Sequence, residues 1–225
     1  MTYDATPDDP RFPSQWSLEN TGQLAGSTPG VDIKARAAWD VINSAPGVIV
    51  AVVDTGINRN HEDIAANLWS NPAESGFAAT NGRDDDRNGY VDDTNGINST
   101  VATNSAGSGN TSDIIGHGTA VASVIGAVGN NGVGMAGVAW SVKLMPLRFL
   151  GSSGGGFISD EIECIDYAIA NGAQLINASF GGSSYSQALY DAMKRARDKS
   201  IIVVCSAGND GDNNDTLAGW FEENK

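Results

Sequence analysis

The chain has 225 residues, of which 40% are hydrophobic, so it is long and apolar enough to bury a core and too apolar for a disordered chain. Thirteen basic residues against 27 acidic ones give a net charge of −14, which argues against a basic nucleic-acid surface. The two cysteines argue against a disulfide scaffold, and the lack of a long apolar run argues against a transmembrane helix. We therefore expect neither nucleic acid nor a membrane among the partners.

The first half of the sequence predicts an extended arm, a short helix, a strand and a long loop region. Residues 1–30 are rich in Pro, Gly, Asp and Ser, which favours turns, and they hold no basic-then-apolar secretion signal. From Val31 the apolar residues recur at helical spacing, and residues 47–54 form a β-branched run that suits a strand buried on both faces. Residues 71–113, mostly Asn, Asp, Gly, Ser and Thr, predict an inserted loop region of functional length.

The second half alternates predicted helices and strands. An Ala-rich helix begins at His117. The later segments are a strand over 141–149, a helix from Ile158, a strand over 174–180, a helix over 186–199 and a buried strand over 201–208. Strands and helices that alternate with short links predict parallel β-α-β units, whose right-handed crossovers would place helices on both faces of the sheet. We therefore expect an α/β fold, with a three-layer, doubly wound, mostly parallel sheet.

Folds of this kind bind ligands at the carboxyl ends of their strands. That rule points to Asp54 and to residues 150–156, 179–182 and 206–209. Asp54 ends an apolar strand, where a carboxylate is costly to bury unless it is paired, but it also fits a simple turn-forming residue. His117 lies between two glycines at a predicted helix start, and a single histidine there is consistent with either a structural or a catalytic role.

Four segments give these positions a more specific interpretation, in the order VAVVDTGI, GHGTAVASVIG, NASFGG and VVCSAGNDG. Together they resemble the subtilisin-like serine proteases (subtilases, peptidase family S8), over a span from about Asp9 to about Thr216. The resemblance implies that Asp54 is the triad aspartate, that His117 is the general base and that Asn209 donates to the oxyanion hole. It also implies a secreted hydrolase whose substrate is a polypeptide.

The resemblance further implies two strands that flank an extended peptide and a wall of small residues around a pocket. The implied substrate-binding residues are Gly154, Gly155, Gly156, Ser179, Phe180, Gly181, Ser206, Ala207 and Gly208. Glycine suits such strands because strand addition needs free main-chain groups with little side-chain obstruction. The alternative for residues 151–156 is a flexible linker, but their place directly after a predicted buried strand argues against it.

The serine of the family's triad is not found in this sequence. The family places it in a Gly-Thr-Ser-Met-Ala-like segment downstream of the Asn209 position, and no serine here has that context. We therefore expect residues 31–225 to form an incomplete subtilisin-like catalytic domain after the arm over 1–30, and we expect this chain alone to be inactive. A missing C-terminal segment or a pro-region would then be a partner. The alternative is a non-catalytic relative that binds peptide and calcium.

An acidic stretch within the loop region predicts a calcium site. Residues 84–89 read D-D-D-R-N-G, the first half of a calcium loop, in which carboxylate and amide oxygens surround the ion. The twelfth position is Asn95 rather than the usual Glu, so a nearby Asp would substitute. The candidate ligands are Asp84, Asp86, Asn88, the carbonyl of Tyr90, Asp92 and Asp93. The alternative is a solvated acidic loop.

A second calcium site is implied by the family resemblance alone. Its ligands would be Asp63, Asn131 and the carbonyls of Gly129, Val133 and Met135. No spacing of His and Cys suggests zinc, and Cys164 and Cys205 are predicted to be buried thiols rather than catalysts. A nucleotide-binding α/β domain is the remaining alternative, but no G-x-G-x-x-G or P-loop follows the first strand.

Overall fold

Five parallel strands form one sheet at the centre of the structure, a computed structural model that describes residues 5–182, 185–209 and 211. In space the strands follow the order β2-β3-β1-β4-β5, and every neighbouring pair is parallel. Their bounds are β1 Ser44–Asp54, β2 Ile97–Asn98, β3 Ser141–Arg148, β4 Leu175–Ala178 and β5 Ile202–Cys205. The α/β class and the parallel sheet predicted from the sequence are confirmed.

Four α-helices accompany the sheet in the described residues, and three short 3-10 helices lie in the connections. The α-helices are α1 Ala35–Trp39, α2 His117–Gly126, α3 Ile158–Ala170 and α4 Gln187–Asp198. The 3-10 helices are Phe12–Ser14, Ala65–Asn67 and Gly76–Thr80. Over the ranges that the structure describes, no helix has the length and hydrophobicity needed to cross a membrane.

The central strand β1 is buried on both faces, as its unbroken apolar run predicts. Val50 and Val52 pack with Ala122 of α2 on one face, whereas Ala51 and Val53 belong to the core formed with α3 and α4 on the other. Helices therefore cover both faces, and the three layers predicted from the sequence are present. Because these strands are parallel, the carboxyl ends of β1, β3, β4 and β5 lie along one edge of the sheet.

The arm packs against α1 through aromatic rings rather than hanging free. The ring centroids of Phe12 and Trp39 are 5.9 Å apart, and Trp39 makes an edge contact with Trp140 at 5.1 Å. The indole of Trp39 also donates a hydrogen bond of 2.8 Å to the carbonyl of Val138. The arm is thus fixed to the domain by a third, separate apolar cluster.

Two sequence predictions need correction. The loop region over 71–113 contains β2, whose two residues pair with the carboxyl end of β3 and are too few to give a periodic signal. The last strand, β5, is predicted to be buried, yet Ile202 and Val204 are 60% and 48% exposed and Cys205 is exposed too. β5 is the last strand of the sheet, so a strand borders it on one side only in the described residues.

The close approach of α2 to the sheet depends on a glycine. A Cβ atom at Gly126 would lie 2.5 Å from Cγ1 of Val142 on β3, well inside van der Waals contact. We predict that Gly126→Ala destabilises the fold by about 1–3 kcal/mol despite the better helix propensity of alanine, because it overpacks this contact. Urea unfolding measures the change, with Gly47→Ala as control because a Cβ there meets no atom within 4 Å. Equal stability of the two variants would contradict the prediction.

Candidate active site

The structure brings Asp54 and His117 together at the carboxyl edge of the sheet. Nδ1 of His117 lies 2.8 Å and 3.0 Å from the two carboxylate oxygens of Asp54. Asp54 is the last residue of β1 and is fully buried, whereas the His117 side chain is 51% exposed. One ring nitrogen is therefore held by a buried carboxylate, and the other is left to exchange a proton with a second group.

The buried carboxylate of Asp54 is held by a neighbouring backbone group as well. The amide of Thr55 donates a hydrogen bond of 2.7 Å to Oδ1 of Asp54. A buried charge is tolerated only when it is paired or hydrogen-bonded, and Asp54 meets both conditions. The alternative that Asp54 only forms a turn does not account for the histidine aligned on it.

Glycines allow the start of α2 to approach the end of β1. A Cβ atom at Gly118 would lie 2.2 Å from the carbonyl oxygen of Gly56 and 3.1 Å from Oδ1 of Asp54. The amide of Gly118 donates a hydrogen bond of 2.9 Å to the hydroxyl of Thr55. The second glycine of the Gly-His-Gly motif is therefore required for the helix to bring His117 within reach of Asp54.

Asp113 secures this junction, although the motifs do not identify it. Its carboxylate accepts hydrogen bonds from the amides of Ile115, Gly116 and Thr119 and from the hydroxyls of Thr55 and Thr119, at 2.5–2.9 Å. Burial alone would raise the pKa of Asp113, but the hydrogen bonds outweigh it and the pKa is lowered. Asp113 lies three residues before the N-cap position, which is Gly116, so the capping pattern in the sequence does not identify it.

The predicted substrate-binding segments follow the other strands at the same edge. Residues 151–156 come shortly after β3, residues 179–181 follow β4, and Ser206 follows β5. The hydroxyl of Ser206 donates a hydrogen bond of 3.0 Å to the carbonyl of Phe180, which links the last two segments. Asn209 is exposed and lies four residues beyond β5.

Part of the predicted calcium set gathers around a residue that the motif does not contain. Carboxylate oxygens of Glu74, Asp84 and Asp86 all lie within 4.8 Å of one another. Glu74 is fully buried, and its Oε2 has no hydrogen-bond partner, whereas its Oε1 accepts from the amide of Asp85 at 2.6 Å. Burial raises the pKa of Glu74, and the charges of Asp93, Asp85 and Asp86 add to this shift.

The remaining predicted ligands of the acidic loop have other partners. Asp93 is buried and accepts hydrogen bonds from Tyr167, at 2.6 Å, and from Asn71 and Asn88. The carboxylate of Asp92 instead accepts from the amide of Gly82. The hydroxyl of Tyr90 donates to Glu163 of α3 at 2.9 Å, so two tyrosines join this loop to α3.

Two side chains of the second predicted calcium set, Asp63 and Asn131, are in contact. Asp63 is buried, and its carboxylate accepts from the side-chain amide of Asn131 at 3.0 Å and from the backbone amide of Met135 at 2.8 Å. Asp9 of the arm accepts from the amides of Asn130 and Asn131, a contact that the motifs do not predict. The arm therefore contributes to this loop.

An Asp–His pair of this geometry is the kind of site that activates a nucleophile by general-base catalysis. The sequence model of the subtilase family matches residues 45–220, more than half of the chain. The chain belongs to the subtilase family, and the resemblance seen in its motifs is confirmed.

Individual relatives support the same assignment. Subtilisin-like protease 1 of Plasmodium vivax is 38% identical over 160 residues, which cover 71% of this chain and 24% of that protein. The extracellular protease of Xanthomonas campestris is 34% identical, with 92% of this chain and 36% of that protein covered. Thermitase of Thermoactinomyces vulgaris is 32% identical, with 92% and 59% covered. The chain thus spans between a quarter and three-fifths of these relatives' lengths.

We predict that Asp113→Ala destabilises the fold by about 1–2 kcal/mol, as loss of a helix cap does. Because the pKa of Asp113 is lowered in the fold, its contribution is present above the ordinary carboxyl pKa of about 3.9 and is lost as the pH falls through the folded-state value. The difference in stability between variant and wild type should therefore shrink in acid.

Thermal unfolding at several pH values measures the difference in stability between Asp113→Ala and the wild-type chain. The NMR signal of the His117 ring reports separately on its contact with Asp54. Asp191→Ala is the control, because Asp191 is an exposed residue of α4 far along the chain from the site. An Asp113→Ala protein as stable as this control would refute the capping role.

Proposed function

We propose that this chain supplies the Asp–His part of a subtilisin-like serine endopeptidase that hydrolyses peptide bonds with an Asp-His-Ser triad. The observation that carries the proposal is the contact of 2.8 Å between His117 Nδ1 and the buried carboxylate of Asp54. Asp54 fixes the ring so that Nδ1 carries the proton, which leaves Nε2 to accept the proton of a serine and later return it to the leaving amine. Asn209 would stabilise the oxyanion with its side-chain amide.

Open main chain at the strand ends supports a peptide substrate. A Cβ at Gly154, Gly181 or Gly182 would meet no atom within 4 Å, so the space beside these glycines is free. An extended peptide could add as a strand between the two glycine segments and pair with their backbone groups. Residues 206–208, all small and exposed, would line the pocket next to the scissile bond.

None of the serines among the 225 residues lies in a Gly-Thr-Ser-Met-Ala-like segment, and we therefore propose that the nucleophile is not among them. We propose that this chain by itself does not hydrolyse peptides. A second candidate function is a peptide- and calcium-binding module, which the same observation favours. The coding sequence beyond Lys225 separates the two, since such a serine segment there indicates the endopeptidase. We also propose that the protein is secreted, because one relative is named an extracellular protease.

Calcium is the cofactor that we propose for the acidic loop. The buried Glu74 with its unpartnered oxygen lies beside Asp84 and Asp86, and such a group of carboxylates is costly without a cation. Glu74, Asp84 and Asp86 would hold the ion, with the Asn88 side chain and the Tyr90 carbonyl as further candidates. Bound calcium would hold the loop in shape and perform no chemical step.

A second calcium ion is proposed at Asp63 and Asn131, with the carbonyls of Gly129, Val133 and Met135. Support for it is the burial of Asp63 and its contact with Asn131, whose side chains lie 3.0 Å apart. Its carboxylate already accepts two hydrogen bonds, so the need for a cation is smaller here than at Glu74.

The proposal that the nucleophile lies elsewhere predicts no hydrolysis by this chain. Incubated with casein, the purified chain should release no peptides, and a fluorophosphonate probe should label none of its serines, because such probes need an activated hydroxyl. Thermitase serves as the positive control for both assays. Specific labelling of one serine that is lost in His117→Ala would contradict the prediction.

The calcium proposal predicts stabilisation by the metal. Free calcium at about 100 times its dissociation constant should raise the melting temperature by about 5–10 °C. Glu74→Gln should lose the part of this rise that comes from the acidic loop, and the control Asp191→Asn, an exposed residue of α4, should keep all of it. Because the ligands must be ionised and the pKa of Glu74 is raised, the effect should weaken in acid.

Asp63→Asn tests the second site separately by the same measurement. A melting temperature of the wild-type chain that does not respond to calcium would overturn both sites.

A further inference from the structure

Glu161, in the first turn of α3, has a buried carboxylate that no interaction in the described chain accounts for. The residue is 5% exposed, and its Oε1 is buried without a hydrogen-bond partner. No ion pair joins Glu161 to a Lys, Arg or His among the described residues. Leaving a buried charged acceptor unsatisfied is costly, so its retention needs a reason.

Glu161 lies in the first turn of the helix that follows one of the two proposed groove segments. It is in the helix that begins two residues after Gly156, and it is close enough to Cys205, at the carboxyl end of β5, to act on it electrostatically. Glu161 is among the buried residues of α3 together with Cys164 and Ile165, which belong to the same apolar core as Phe149, after β3, with Phe180, after β4, packed against it. The carboxylate is thus on the buried side of α3, next to the core that contains the two phenylalanines at these strand ends.

The groove offers open space but no other charge. Segments 149–157, 179–182 and 206–208 contain no Asp, Glu, Lys or Arg. Open space above Gly154 and Gly181 leaves room for a side chain of the peptide to enter between the two strands. The phenyl rings of Phe149 and Phe180, with centroids 4.5 Å apart, would contact an aliphatic stem.

We propose that Glu161 is a specificity-determining residue that accepts the basic side chain of a lysine or arginine in the bound peptide. The cation would supply the hydrogen-bond donor that Oε1 lacks, and its aliphatic stem would pack on the two phenyl rings. The inference rests on the proposed function, because it requires an extended peptide between the glycine segments.

The pKa of Glu161 is consistent with a carboxyl group that becomes fully ionised only when a cationic side chain binds. Burial raises the pKa of Glu161 to about 7, so the empty site holds a partly protonated carboxyl group at neutral pH. The titratable groups that it influences are the thiols of Cys164 and Cys205, both of raised pKa and therefore neutral, while Glu163 on the same helix is bound to Tyr90. A bound cation would restore the ionised form.

The test measures binding rather than cleavage, so it needs no serine. Fluorescent peptides that differ at one position, lysine or its uncharged analogue norleucine, are titrated into the 225-residue chain and followed by anisotropy at pH 8. Peptides with the lysine or norleucine at successive positions show which peptide side chain lies next to Glu161. We expect the lysine peptide to bind at least about tenfold more tightly at one position, as a charged hydrogen bond would give. The preference should shrink toward pH 5.5, where Glu161 is protonated.

Glu161→Gln should reduce the preference to less than about twofold and leave norleucine binding unchanged. Asp160→Asn, the same charge change one residue away, should keep it. Equal binding of the two peptides to the wild-type chain at every position overturns the role of Glu161 and leaves the peptide groove standing. If neither peptide binds, the proposed groove fails and the inference with it. The wild-type comparison stays decisive even if the glutamine variant does not fold.

Discussion

The contact between the first turn of α2 and the last residue of β1 is the constraint on which the site depends. It exists because Gly118 lets the helix start touch the strand end at a distance that any side chain would prevent, while Gly56 lets the loop at Thr111 and Ser112 approach from the other side. The Asp54–His117 pair is a consequence of that approach, and Asp113 holds the same junction from the loop side. Parallel topology then brings the ends of the other strands to the same edge.

The acidic loop is built into the core rather than appended to it. Tyr90 and Tyr167 pack edge to face with ring centroids 5.4 Å apart, and their hydroxyls join Glu163 and Asp93 across the boundary between loop and helix. α3 therefore carries both the contacts with the acidic loop, through Glu163 and Tyr167, and the buried Glu161.

Much of the fold was predictable from sequence, and the reasons are local. The β-branched run in β1 and the apolar face of α3 each give a clear pattern over eight or more residues, and the order of the motifs predicts which strand ends meet. The pairing of Asp54 with His117 followed from the family resemblance. β2 is too short to leave a periodic signal, and the exposure of β5 depends on what lies beside it in space.

The residues that sequence reasoning missed share a physical character. Glu74, Asp113 and Glu161 are single acidic residues in polar or helical segments, where a solvated side chain is the usual outcome. Glu74 and Glu161 stand out because they are buried, and Asp113 because it binds partners distant in sequence, such as Thr55, which lies 58 residues away. Neither burial nor a distant partner can be recognised without the tertiary structure. The charge pattern therefore identified the acidic motif over residues 84–89 but not Glu74, the buried carboxylate beside it.

The aromatic packing has a spectroscopic consequence. Trp39 and Trp140 are 5.1 Å apart, close enough for their indole transitions to couple, whereas Trp69 meets Tyr167 beside the acidic loop. Circular dichroism of the coupled pair reports on the cluster in which Phe12 of the N-terminal arm packs on Trp39. The fluorescence of Trp69 reports on its contact with Tyr167 beside the acidic loop. These aromatic contacts thus give an optical signal for each of the two regions in which calcium is proposed.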